Sequence, residues 1–74
     1  MTIQILSKDN FPAVEDLRKQ YNIYRALDIK TKENLEAVEF INTDGVFRGF
    51  GKNTKKAFKN AKKVLQSFYN QKSA

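Results

Sequence analysis

The chain has 74 residues, 41% hydrophobic and 12% aromatic, a formal net charge of +6, and neither cysteine nor histidine. A chain this short holds one modest core, and without cysteine or histidine it has no disulfide, no thiolate metal site and no imidazole general base, so neither a metal nor a cofactor is expected. No apolar run approaches the roughly 20 residues that cross a bilayer, and Met1–Asp9 lacks the basic start of a signal peptide; the expectation is an intracellular protein, cytoplasmic or nuclear, with no membrane and no small-molecule substrate.

Residues 1–10 read as an N-terminal extension ending in the turn or cap cluster Ser7-Lys8-Asp9-Asn10. Phe11, Val14 and Leu17, with Tyr21 one turn on, form the stripe of an amphipathic helix over about 11–20. Its other side carries Glu15, Asp16, Lys19 and Gln20. Ile23 to Ile29 is rich in strand formers, with Ile23, Leu27 and Ile29 on one side, shared by Arg25. A polar connector, Lys30-Thr31-Lys32-Glu33-Asn34, leads to a second strand, Leu35 to Ile41. Asn42-Thr43-Asp44-Gly45 is a strong turn signal, because Gly45 supplies positive φ. Val46 to Gly51 returns as the third strand, its end marked by Gly49 and Gly51. Phe47 and Phe50, at odd spacing, point to opposite faces. Arg25, Arg48, Glu36 and Glu39 read as cross-strand partners on an open sheet face.

Asn53 or Thr54 caps the last helix, expected over 54–70. At ~100° per residue, Ala57, Ala61, Val64, Leu65 and Phe68 share an apolar arc, Phe58 borders it, and Lys55, Lys56, Lys59, Lys62 and Lys63 lie opposite. The expected fold is α+β, in the order α-β-β-β-α: a three-stranded antiparallel sheet with two helices packed on one face. The domain spans 11–70, and 71–74 form a C-terminal tail.

Charge is unevenly distributed. Residues 1–44 hold eight acids and six bases, a net of −2, whereas residues 45–74 hold eight bases and no acid, a net of +8. One sign of charge along 30 residues suggests a polyanion, of which nucleic acid is the commonest and an anionic membrane surface the rival. The bland alternative is a solvated basic face. Such faces usually intersperse acids to make i, i+4 pairs, and this helix has none. Enzyme chemistry finds no foothold: Glu36 and Glu39 lie on opposite strand faces, no nucleophile–base pair can be named, and no phosphate-binding glycine loop is present.

The run Gly49-Phe50-Gly51-Lys52-Asn53-Thr54-Lys55-Lys56-Ala57-Phe58-Lys59-Asn60-Ala61 resembles the final third of a double-stranded-RNA-binding domain. In that family a strand ends in Gly-x-Gly, a small capping residue follows, and a helix opens with Lys-Lys-x-Ala-Lys. The resemblance covers residues 11–70 by element order and 45–68 at motif level. Aligned flush from the glycines, Asn53 is the cap and Ala57, Ala61, Val64, Leu65 and Phe68 take core positions, while Lys55 alone keeps a motif lysine. With one extra loop residue, Thr54 is the cap and Lys55, Lys56 and Lys59 all match, but Lys62 and Gln66 turn inward. The flush alignment is preferred, since packing constrains a helix more tightly than a loop.

The resemblance implies non-catalytic, largely sequence-independent binding of A-form duplex RNA. Lys55, Lys56 and Lys59, with Lys52 and Lys63 flanking, would meet the phosphates bordering the major groove. Glu15, Lys19 and Gln20 on the first helix, and Lys30, Lys32 and Asn34 in the connector, would reach the minor grooves. The family's Gly-Pro-x-His connector element has no counterpart here. The resemblance therefore also implies an alternative: a protein-interaction or dimerisation module with weak or no RNA binding. Either could serve as an accessory domain of a larger RNA-processing enzyme.

Overall fold

The computed structural model describes residues 2–73; Met1 and Ala74, the outermost residues of the expected extension and tail, lie outside it. Six elements follow one another: β1 (Thr2–Ile5), α1 (Val14–Tyr21), β2 (Arg25–Lys30), β3 (Glu36–Asn42), β4 (Gly45–Gly51) and α2 (Thr54–Ser73). The strands form one antiparallel sheet in the order β1-β2-β3-β4. The α+β class is as expected, with four strands rather than three.

The additional strand comes from residues expected to lie outside the domain. Thr2-Ile3-Gln4-Ile5 alternates polar and apolar residues, and it pairs with β2 from Thr2↔Lys30 to Ile5↔Leu27. The Leu6 amide continues the ladder to the Ala26 carbonyl at 2.8 Å. Ser7 and Asn10 then turn the chain: the Asn10 side chain accepts from the Ser7 amide and donates to the Ile5 carbonyl. That turn delays α1, which starts at Val14 instead of Phe11.

Both helices lie on one face of the sheet, and a single core joins them to it. Val14 and Leu17 of α1 pack with Val38, Phe40 and Phe47 of the sheet and with Ala57, Phe58, Ala61 and Leu65 of α2. Two aromatic pairs link the α1 region to α2: Phe11, ahead of α1, with Phe58, and Tyr21, at the end of α1, with Tyr69. α1 ends on Asn22 in the left-handed conformation, a standard helix stop. The tight β3–β4 turn is held by Asn42, whose side chain accepts from the Asp44 amide, and Gly45 takes φ +141°, as the turn signal implied.

Among the described residues, the opposite face of the sheet has no helix upon it. The apolar side of β2 read from the sequence, Leu27 and Ile29, belongs to this open face, while Ala26 and Asp28 are buried beneath the helices. Phe47 is core and Phe50 is half exposed on the open side, the opposition expected from their spacing. Arg48 pairs with Glu39 there. Glu36 does not: the register Lys30↔Glu36↔Gly51 puts it on the helix side.

Candidate nucleic-acid interface

The basic face is built on α2, and two glycines fix how α2 is turned. A Cβ on Gly49 would collide with the backbone of Asn60 and Ala61, and one on Gly51 would come within 2.5 Å of the Ala57 amide nitrogen. The helix backbone therefore rests directly on β4, with Ala57 and Ala61 as its contact side chains, both fully buried. Gly49 and Gly51 are thus a seat for α2 within β4 as well as its end. Asn60 adds a hydrogen bond from its side-chain amide to the Phe50 carbonyl, 2.6 Å.

This seating sets the buried arc to Ala57, Phe58, Ala61 and Leu65. The expected arc is rotated by part of a turn toward α1. Phe58 moves into the core, 6% exposed, against Phe11 and Phe40. Val64 and Phe68 move to the flank at 44% and 36% exposure. Phe68 keeps an edge contact with Phe47. The reason is steric: the close approach at Gly49 leaves no room for larger side chains on the axis facing β4, and Phe58 fills the space between α1 and α2.

The helix start is equally well defined. Asn53 accepts a hydrogen bond from the Lys56 amide at 2.9 Å, and its carbonyl receives the Ala57 amide at 3.0 Å. Asn53 is therefore the cap, as in the flush alignment, and Thr54 is the first helical residue. Thr54 instead turns inward, where its hydroxyl lies 2.5 Å from Glu36 Oε2 and 3.0 Å from Asp28 Oδ2. Asp28 is 1% exposed, and its Oδ1 has no hydrogen-bond partner among the described residues. Burial, and then the neighbouring Glu36 carboxyl, push the Asp28 carboxyl above the ordinary carboxylate range. This acidic pair pins the N-terminal end of α2 to β2 and β3. The only sequence trace of it was an acid standing between Leu27 and Ile29.

Outward from this anchor, Lys55, Lys56, Lys59, Lys62 and Lys63 are all exposed. Among the described residues the ion pairs are Arg48–Glu39 and Lys72–Asp44, so these five lysines have no acidic partner. The first turn of α2 contains no acid. Lysines at the positive end of a helix dipole are unfavourably placed, and so are like charges three or four residues apart. The face therefore holds uncompensated positive charge.

The other expected residues fall into two groups. Lys30 and Asn34 line one recess with Lys52, Thr31, Leu35 and Glu36, which brings the β2–β3 connector beside the start of α2. The connector is stiffened internally: the Thr31 hydroxyl and amide both donate to the Leu35 carbonyl, and Asn34 adopts φ 57°. Lys32 is exposed within it. Lys55 and Lys59, joined by Lys62, rim a second recess floored by Phe11, Ala13 and Phe58. Glu15 and Lys19 lie on α1, and Gln20 lines a separate recess with Tyr21, Asp44 and Tyr69. The structure thus brings the connector beside Lys52, just ahead of α2, while Gln20 lines a recess apart from the α2 lysines. No helix among the described residues is long and apolar enough to cross a membrane. No family model, curated protein or solved structure matches the chain.

Proposed function

We propose that this chain binds double-stranded RNA without catalysis and largely without regard to sequence, as a divergent double-stranded-RNA-binding domain. The observation that carries the reading is the α2 lysine face. It follows a Gly-x-Gly seat and an asparagine cap, it is held outward by the packing of Ala57 and Ala61, and its lysines have no acidic partner among the described residues. Lys55, Lys56 and Lys59 would take the phosphates across the major groove of an A-form duplex, a groove too deep and narrow for side chains to read. Lys52 and Lys30, with Asn34, extend the same surface toward a minor groove. Lys63 flanks it on α2. Glu15, Lys19 and Gln20, on α1 and apart from the α2 lysines, would reach a separate minor groove.

The test is a titration of duplex RNA, duplex DNA and single-stranded RNA at two salt concentrations. Affinity for duplex RNA should exceed the other two and fall steeply with salt, as counterions are released for each neutralised phosphate. The triple variant Lys55→Ala/Lys56→Ala/Lys59→Ala should lose at least tenfold in affinity and flatten the salt slope by about 0.9 per lost contact. Unchanged binding by that variant, with its fold intact, removes the reading. Equal affinity for duplex DNA reduces it to general polyanion binding.

A further inference from the structure

The open face of the sheet carries a row of apolar side chains across all four strands. The registers align Ile3 with Ile29, Ile29 with Ala37, and Ala37 with Phe50. Ile3 and Phe50 are 55% and 50% exposed, at the two ends of the row. Ala37 forms a dip between Ile29 and Phe50, closed on one side by the Arg48–Glu39 pair. Ile5, at 61%, and Val46, at 55%, widen the apolar surface along β1 and β4. Contiguous apolar patches of this kind on small soluble domains mark interfaces.

We infer that this face joins a second copy of the chain, sheet against sheet, to form a reversible two-fold dimer. Three observations select that occupant. The first is complementarity. A two-fold axis along the strands sets β1 of one copy over β4 of the other, and β2 over β3. Ile3 then meets Phe50, Ile29 sits over the dip at Ala37, and in the next row Leu27 covers Glu39 while Ile5 lies over the aliphatic stem of Arg48. The second is charge. Arg25 lies one row from Glu39 on this face, and under the same axis it comes beside Glu39 of the other copy. The lysines of α2 are on the far side of the sheet from the contact, so two chains of +6 can meet without opposing their charged faces. The third is area. Strands about 4.8 Å apart and rows about 6.7 Å apart give roughly 400 Å² of flat footprint per copy. Doubled and roughened by side chains, this approaches the lower limit of about 1,000 Å² for a specific interface. The dimer is therefore weak, and it presents two lysine faces pointing in opposite directions.

The inference does not rest on RNA binding, and its test contains no RNA. In sedimentation equilibrium the wild-type chain should rise from the mass of one chain to that of two between about 10 µM and 1 mM, the range of a small interface. Ile3→Glu and Phe50→Glu replace half-exposed side chains, so the fold should survive, and both should stay at the mass of one chain throughout. Lys55→Ala/Lys56→Ala/Lys59→Ala should associate as the wild type does. Amide resonances of the wild type, followed on dilution, should move in β1 to β4 and stay fixed on the outer side of α2, a reading that needs no variant. A wild-type chain that remains single at 1 mM overturns the inference. So do glutamate variants that associate unchanged, a lysine variant that does not associate, or resonance changes confined to α2.

Discussion

Gly49 lies directly beneath Ala61, with no space between the strand and the helix backbone for even one methyl group. Alanine is ordinarily the better strand residue, because glycine loses more backbone freedom on folding. At this position the sign reverses. The atoms in the way are backbone, which cannot swing aside, so α2 must lift or turn. Gly49→Ala should cost about 3 kcal/mol, the upper range of overpacking, read as a shift in the urea midpoint. Gly51→Ala, facing Ala57, should be destabilising in the same sense. If Gly49→Ala were neutral, the seating of α2 on β4 would be wrong.

The rotation of α2 can be tested along its own length. Leu65 is fully buried and Val64 is 44% exposed, although the two are neighbours. Leu65→Ala should cost 2–5 kcal/mol, on the order found for cavities in packed cores. Val64→Lys should stay within about 0.5 kcal/mol of wild type, as exposed substitutions do. Had the periodicity alone set the core, both positions would be inside and both substitutions severe. Thermal or chemical unfolding of the pair distinguishes the two arrangements.

That contrast shows where the sequence was informative. The strong periodic signals translated well: α2 starts at its asparagine cap, the Asp44-Gly45 turn joins β3 to β4, and Phe47 and Phe50 part to opposite faces. The facing of β2 was misread because both faces of the sheet carry apolar residues. With Leu27 and Ile29 on one side of β2 and Ala26 and Asp28 on the other, alternation points to the wrong side as core. Burial of Asp28 depends on Glu36 and Thr54, which are distant in sequence. β1 was missed because four residues supply too short a pattern to separate a strand from an extension. The lysine face was legible as a charge pattern, but the recess joining Lys30 to Lys52 exists only once the sheet is assembled.

The buried pair at the base of α2 has a pH signature. Asp28 has its folded-state pKa raised, by burial first and then by Glu36, so the folded chain holds a proton there more readily than the unfolded one. Stability from this group is full below about pH 4, the unfolded carboxylate value, and is lost as pH rises through the folded value. Asp44 has the opposite sign. Its carboxylate accepts from the Tyr69 hydroxyl and is held low, so its contribution is present above about pH 4 and disappears as pH falls. Asp28→Asn keeps an acceptor for Thr54 and offers Glu36 an amide donor without a buried charge. It should match wild type near pH 4 and exceed it by about 1 kcal/mol at pH 7, the scale of relieving one buried unsatisfied acceptor. Melting temperatures across that range should diverge as pH rises. A constant difference would place the effect in packing rather than in protonation.

Stability and binding should pull against each other at the start of α2. Lys55 and Lys56 occupy the second and third positions of the helix, its positive end, and the first turn holds no acid. Replacing both with glutamate reverses an unfavourable charge–dipole interaction, worth about 0.3–1 kcal/mol at each site at low ionic strength. Lys55→Glu/Lys56→Glu should therefore raise the unfolding midpoint while reducing duplex RNA affinity by more than the alanine substitutions do, since each site then repels phosphate. Added salt should narrow both differences, because both are electrostatic. A helix kept at this disadvantage without a binding role would show only the first effect: better stability, with RNA affinity unmoved. Measuring both quantities on one preparation, at two salt concentrations, separates a phosphate-binding surface from a merely solvated one.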